Sequence, residues 1–176
     1  MTKRAVIFTW DGFQDQEVIY PYHRLKGEGF ETIIVGPRDG KVEGLFGTKF
    51  DCNYFGTFLA DPRQFHRFVD LLILPGGVKA LEKIRQEKQV INVIRDFEGT
   101  IGSICHGAQL LISAGRCNGE VIAGYYSIED DITNAAGVYS REPVVSNNIV
   151  SAAHYDDMGK WMNMVLSVFE EHYGNR

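Results

Sequence analysis

The chain has 176 residues, a formal net charge of -5, and 44% hydrophobic against 23% charged residues, the balance of a folded globular protein long enough to bury a core. With a sequence pI near 5.5 and no block of like charge, it offers no broad attraction to nucleic acid or to an anionic membrane surface, so nucleic acid is excluded as a primary partner. No apolar run approaches the roughly 20 residues of a membrane span.

Residues 4 to 9 read as a first strand. The preceding Lys3-Arg4 imitates the start of a signal peptide, but the apolar run stops at Asp11-Gly12, short of the ~7–15 residues such a peptide needs. A cytoplasmic location is expected. The segment from Glu17 to Lys26 reads as a helix closed by Gly27 and Gly29, with Pro21 either in its first turn or kinking it. Glu31 to Val35 forms a second strand. Between Gly36 and Thr57, glycines alternate with β-branched and aromatic residues, the pattern of a small hairpin excursion. Asp70 to Leu74 is a continuous apolar strand ending at Pro75-Gly76-Gly77, as expected of a parallel strand covered on both faces. Helices follow from about Ala80 and from about Gln89 to Phe97, the second carrying the stripe Val90, Ile91, Val93, Ile94 and Phe97. A strand and helix around Cys105 continue the β-α repeat. Short strands near Val121–Gly124, Val144-Val145 and Ile149–Ser151 precede a last helix, about Asp157 to His172. Its face of Met158, Trp161, Met162, Val165, Leu166 and Phe169 is core material. The fold class is a single doubly wound, flavodoxin-like α/β domain over residues 1–176, with a mostly parallel sheet and helices on both faces. In such sheets ligands sit beyond the carboxyl ends of the strands, where Cys105, Gly76-Gly77 and the loop before Glu17 fall.

Cys105 joins the apolar strand Thr100–Ile104 to a helix. Small residues at Ser103 and Gly107 flank it in the small-x-Cys-x-Gly pattern of a nucleophile elbow, with sulfur in place of serine oxygen. A buried core cysteine is the alternative, because free cysteine is among the most buried residue types. The elbow pattern favours a presented thiol, and a helix N-terminus is expected to lower its pKa. His106 could stabilise a thiolate or move a proton, although adjacent side chains in a turn usually diverge. The Pro75-Gly76-Gly77 turn is either a plain turn or a loop of backbone donors for an oxyanion. Glu17 opens its helix at the same sheet edge, either as helix-start electrostatics or as a working carboxylate.

Cys52, Cys105 and Cys117 are an odd number with no disulfide spacing, which fits a reducing compartment and a free thiol at Cys105. The five histidines are scattered, with no metal-binding spacing. Neither GxGxxG nor GxxxxGK[ST] occurs. No metal and no cofactor are expected.

Three motifs occur in order: Phe13-Gln14-Asp15-Gln16-Glu17-Val18-Ile19-Tyr20-Pro21-Tyr22-His23-Arg24-Leu25, Leu74-Pro75-Gly76-Gly77, and Ser103-Ile104-Cys105-His106-Gly107-Ala108-Gln109-Leu110-Leu111-Ile112-Ser113-Ala114-Gly115. With them the chain resembles the DJ-1/PfpI superfamily over essentially its whole length. The likeness is to the PfpI-like intracellular protease and deglycase branch of this class I glutamine amidotransferase-like group. The resemblance implies that Cys105 is the nucleophile, that Glu17 is a buried acid hydrogen-bonded to the thiolate, and that Gly76 and Gly77 supply backbone donors. It also implies that His106 is completed by a glutamate from a neighbouring subunit. Glu82 matches that glutamate, one residue further from Gly77 than the family pattern has it. The same resemblance implies a homodimer or hexamer. After the last strand, where many relatives have Ser-Arg-x-Pro, this chain has Ser151-Ala152-Ala153-His154-Tyr155, which alters the pocket wall and leaves His154 either as an extra polar wall or as an exposed loop histidine.

The implied function is cofactor-free chemistry on small reactive carbonyls, such as methylglyoxal, or on their adducts with protein side chains, of glyoxalase III or deglycase type and serving stress protection. An intracellular cysteine peptidase or amidase, and a redox-sensing protein acting through oxidation of Cys105, are the alternatives.

Overall fold

Strands without polar alternation must be covered on both faces, and this chain has several. A computed structural model describes residues 2–174. In chain order the elements are β1 (Arg4–Phe8), α1 (Asp15–Gly27), β2 (Glu31–Gly36), β3 (Gly40–Glu43), β4 (Lys49–Tyr54), α2 (Phe55–Phe58), α3 (Pro62–Phe68), β5 (Leu71–Leu74), α4 (Val78–Ile84) and α5 (Lys88–Asp96). They continue with β6 (Thr100–Ile104), α6 (Ala108–Ser113), β7 (Val121–Ala123), α7 (Glu129–Asn134), β8 (Val138–Ser140), β9 (Val144–Ser146), β10 (Ile149–Ala152) and α8 (Met158–Tyr173). Every residue of β5, β6 and β10 is buried, as is β1 after Arg4. These strands are the middle of an eight-stranded sheet of order β3-β4-β2-β1-β5-β6-β10-β9. Pairing from β4 through β10 is parallel, and β3 and β9 add antiparallel edges. The short β7 and β8 pair in parallel as a separate ribbon.

The helices flank the sheet: α1 packs with α8, and α5 with α2, α3 and α6. Trp161 of α8 is fully buried and its indole Nε1 donates to Val150 O of β10 at 3.0 Å, so α8 is held by both apolar burial and a hydrogen bond. The doubly wound parallel fold expected from the sequence is the fold observed. The hairpin excursion is β3 and β4. Helix α1 begins at Asp15, two residues before the expected start, which puts Pro21 in the second turn instead of the first. The elements α2, α3, α7 and β8 have no counterpart in the sequence pattern described above. Strand order places the crevice: β1, β5 and β6 are neighbours, and the chain leaves β1 toward β2 on one side and continues as β5, β6 and β10 on the other. That reversal opens a cleft at their carboxyl ends.

Glycines at the strand ends set how closely the layers approach. A Cβ on Gly107 would lie 2.0 Å from the backbone oxygen of Leu74, which cannot move without disturbing β5. Gly159 near the start of α8 has open space around it and ordinary helical geometry. Gly107→Ala is therefore expected to lose about 3 kcal/mol or more of stability through overpacking, whereas Gly159→Ala gains about 0.5 kcal/mol from helix propensity. Urea unfolding of both variants checks the pair; a tolerated Gly107→Ala contradicts the packing described.

Candidate active site

Three adjacent strand ends deliver the groups that meet. From β6 the chain turns at Cys105, whose φ of +59° is left-handed and unusual for a residue with a side chain; such strain costs on the order of 1 kcal/mol and must be held by its surroundings. Two features hold it: the close seat of Gly107 on Leu74, and the hydrogen bond from Tyr125 N to Cys105 O at 3.1 Å. From β5 comes Pro75-Gly76-Gly77. From β1 the loop 9–14 leads into α1, and Glu17 in its first turn is fully buried.

Gly76 N donates to Glu17 Oε2 at 2.6 Å. A Cβ on Gly76 would lie 2.5 Å from that oxygen and 3.1 Å from Cys105 Sγ, so only glycine lets carboxyl, amide and thiol share this space. Gly77, at φ +111°, is equally constrained: its Cβ would meet Gly12 O at 2.7 Å and Gln14 N at 2.8 Å. Glu17 Oε1 has no N–H or O–H partner among the described residues, and the carboxyl's remaining interaction is with the Cys105 thiol.

Burial dominates the electrostatics. It raises the Glu17 carboxyl to about 7, against the opposing pull of Gly76 N–H and the thiol. Burial also pushes the Cys105 thiol well above its ordinary range, reinforced by the charge of Glu17, while the His106 backbone N–H pulls the other way. The sequence expectation of a presented thiol with a lowered pKa is thus corrected on both counts: Cys105 is only 8% exposed, and desolvation with a facing carboxylate outweighs the helix N-terminus. The two groups titrate as one pair. Below about pH 7 both are protonated; above it the carboxyl ionises while burial and the facing carboxylate keep the proton on sulfur.

His106 does not diverge from its neighbour. Its Nδ1 lies 3.4 Å from Cys105 Sγ, and its Nε2 is 3.5 Å from Ser127 Oγ. The ring stacks on Tyr125 with centroids 4.8 Å apart. Burial lowers its pKa, so the ring is neutral at neutral pH and pairs with sulfur by hydrogen bonding, not as an imidazolium. Gly76 N–H, expected as an oxyanion donor, is occupied by Glu17. His154 stands further out, its ring 6.3 Å from that of Tyr125, with Nδ1 accepting from Asp156 N at 3.3 Å. Glu82 is exposed on α4, and among the described residues its carboxylate has no contact with His106. Glu17, Gly76, Cys105 and His106 are therefore brought together, whereas His154 and Glu82 are not.

Sequence reading misses three groups. Tyr125 and Ser127 flank His106 from the segment after β7, where no motif marks them. Asp15 is buried: its two oxygens accept from Phe46 N and Thr48 N, each at 3.0 Å, locking the β3–β4 tip onto the start of α1. Although burial opposes its charge, the Thr48 hydroxyl together with these N–H groups holds its carboxyl below the ordinary value. A Cβ on Gly44 would strike that carboxylate at 2.6 Å, so the tip docks only with glycine there. All three cysteines are free and buried. Among the described residues no cluster of His, Cys, Asp and Glu side chains could hold a metal ion, and no helix is long and apolar enough to cross a membrane.

A left-handed cysteine between a parallel strand and a helix, facing a buried carboxyl from the neighbouring strand end, defines an α/β protein with a cysteine elbow. The chain belongs to the DJ-1/PfpI family, whose pattern matches residues 3–168. It is 40% identical over 164 residues to the deglycase PfpI of Pyrococcus furiosus, covering 90% of this chain and 94% of that one. Among solved structures, a two-domain protein from Anabaena variabilis with DJ-1/ThiJ/PfpI-like and ferritin-like domains matches at TM-score 0.87 and 26% identity. That match covers 94% of this chain and 48% of the larger one. Schizosaccharomyces pombe DJ-1 matches in fold at TM-score 0.82 and 22% identity, covering 96% of this chain and 90% of that one.

The raised Glu17 pKa has a consequence for stability. The folded chain holds a proton there between the ordinary value of 4.5 and about 7, where the unfolded chain has lost it. Stability conferred below that window is therefore lost as pH rises through it. Between pH 5.5 and 8 the wild type is expected to lose about 2 kcal/mol relative to Glu17→Gln. Urea unfolding of both proteins at the two pH values checks this, and parallel changes in the two would show that Glu17 does not titrate in this window.

Proposed function

We propose that the protein is a cofactor-free, cysteine-dependent deglycase that acts on methylglyoxal-type adducts and on the free dicarbonyl. The observation that carries this reading is the pairing of Cys105 with a buried carboxyl whose pKa lies near 7, a group able to accept and return one proton at physiological pH. The deglycase named among its relatives supports the same chemistry. On an amine or thiol adduct, the Cys105 sulfur bonds to the carbinol carbon while the bond to the amine or thiol breaks. The thiol proton passes through Glu17 to the departing group. Free methylglyoxal adds directly, its aldehyde oxygen taking the proton. Either route leaves a hemithioacetal on Cys105. A base removes the carbinol C–H proton and the neighbouring ketone carbon regains one, so one carbon is oxidised as the other is reduced. The resulting thioester is hydrolysed by water to lactate, which frees the thiol. Gly77 N–H is assigned to the developing oxyanion, since Gly76 N–H is engaged. Protection against carbonyl stress would follow from such an activity.

His106 Nδ1 at 3.4 Å from sulfur favours a second reading, an amidase or peptidase that forms an acyl-enzyme. The two separate on substitution. Lactate formation from methylglyoxal and release of N-acetylcysteine from its methylglyoxal adduct are expected in wild type. Both should be lost in Cys105→Ser, and should fall about a hundredfold in Glu17→Gln. In wild type kcat/KM is expected to fall roughly tenfold per pH unit below about pH 7, a limb absent from Glu17→Gln. Loss of turnover in His106→Ala with Glu17→Gln still active would instead support the amidase.

Glu82 enters as a residue that reaches His106 of a neighbouring copy in a dimer or a hexamer built from dimers. Its exposure on α4, which packs against the Cys105 turn, supports this. Sedimentation of the purified protein is expected to give a dimer or larger assembly; a monomer that turns over substrate would remove the role from Glu82.

A further inference from the structure

Beyond His106 the wall of the site is aromatic and acidic. Tyr125, Tyr126 and His154 form a triangle of rings with centroid separations of 5.4, 6.3 and 6.3 Å and interplanar angles of 38°, 33° and 15°. Tyr125 is stacked on His106 and so belongs to the site already described. Tyr126 and His154, lying on the far side of it, do not. Tyr126 is 51% exposed, a large apolar face left in water. The Asp156 carboxylate lies 3.1 Å from His154 Nδ1 and is otherwise open to solvent. Between Arg116 and Arg141, and again between Arg141 and Lys160, the sequence contains no lysine or arginine, yet these stretches carry Glu129, Asp130, Asp131, Asp156 and Asp157. Lys160 is itself paired with Glu142. Acidic residues suit helix starts, which accounts for some of their positions, but not for the near-parallel rings of exposed Tyr126 and partly buried His154 between two such starts.

We infer that Tyr126, His154 and Asp156 form a subsite for a guanidinium group: an arginine side chain next to the modified residue in a polypeptide substrate. A guanidinium is planar, sheds its hydration more readily than an ammonium and stacks on aromatic faces, and Asp156 supplies the opposite charge. The path outward from the thiol passes two other rings: His106 lies 3.4 Å from sulfur, and ring centroids then step 4.8 Å to Tyr125 and 5.4 Å to Tyr126. An extended peptide advances about 3.3–3.6 Å per residue, so the long side chain of an adjacent residue spans that distance, whereas a group attached directly to the reacting carbon does not. The inference rests on the deglycase reading and narrows it: the preferred substrates are adducts on protein segments rich in arginine, ahead of isolated modified amino acids or free methylglyoxal.

The test measures binding without turnover. Full-length Cys105→Ser protein is titrated by calorimetry with acetyl-seryl-arginine amide, and with its citrulline counterpart, which has the same shape and no charge. The arginine peptide is expected to bind about fivefold more tightly, and that ratio to weaken with added salt. Adding Tyr126→Leu, which removes a half-exposed ring without touching the core, should bring the ratio to about one, and Tyr126→Phe should keep it. Equal binding of the two peptides, or an arginine preference that survives Tyr126→Leu, overturns the subsite. The functional reading fails separately: if wild type turns over no methylglyoxal adduct, the preference measured in Cys105→Ser still decides the subsite.

Discussion

Everything at this site depends on one short hydrogen bond between two strand ends, Gly76 N to Glu17 Oε2 at 2.6 Å. It brings a carboxyl into a space where water would otherwise solvate it, and does so with the smallest possible neighbour. Because β1, β5 and β6 are adjacent, the bond also fixes the distance between that carboxyl and the sulfur on the next strand. Helix α1 is in turn anchored from outside: Asp15 grips the β3–β4 tip two residues before Glu17. The hairpin, marginal by itself, thereby becomes part of what aims the acid.

Low solvation raises the pKa of both the acid and the thiol. Either group alone in such a setting would simply stay neutral. Together they form a coupled pair, the thiol held protonated and the carboxyl raised to about 7, and the neutral His106 ring at 3.4 Å from sulfur adds a directional contact without adding charge. The left-handed backbone at Cys105 is held by neighbours that are themselves well packed, so the strain sits on a firm base.

Much of this is legible in the residues. Continuous apolarity in 71–74 announces a buried parallel strand, and the small residues around Cys105 announce the elbow. The glycines at 76 and 77 leave two readings open that only the geometry decides, because sequence carries no information on which carboxylate will fill the space a missing side chain leaves. The thiol's electrostatics are misread from sequence for a related reason. Helix position is visible there, but the desolvation that outweighs it depends on Leu74, Glu17 and Gly76 converging from distant segments. Helix α3 escapes notice although Asp61-Pro62 is a sound helix start; Asp61 accepts from Arg63 N at 3.0 Å and Gln64 N at 3.3 Å. Tyr125 and Ser127 cannot be found at all, since nothing in their local pattern says that the segment after β7 folds back over β6.

That segment meets the cysteine site through Tyr125 and Ser127: the Tyr125 amide bonds Cys105 O at 3.1 Å, its ring rests on His106, and Ser127 Oγ lies 3.5 Å from His106 Nε2. The rest of the rim hangs from β7 and from the end of β10, while the acid, the thiol and the glycine hang from β1, β5 and β6. Inheritance can therefore act on the two halves separately. Lineages that keep the buried half unchanged are free to replace the rim residue by residue, so that paralogues with an identical elbow would diverge first in the company they keep.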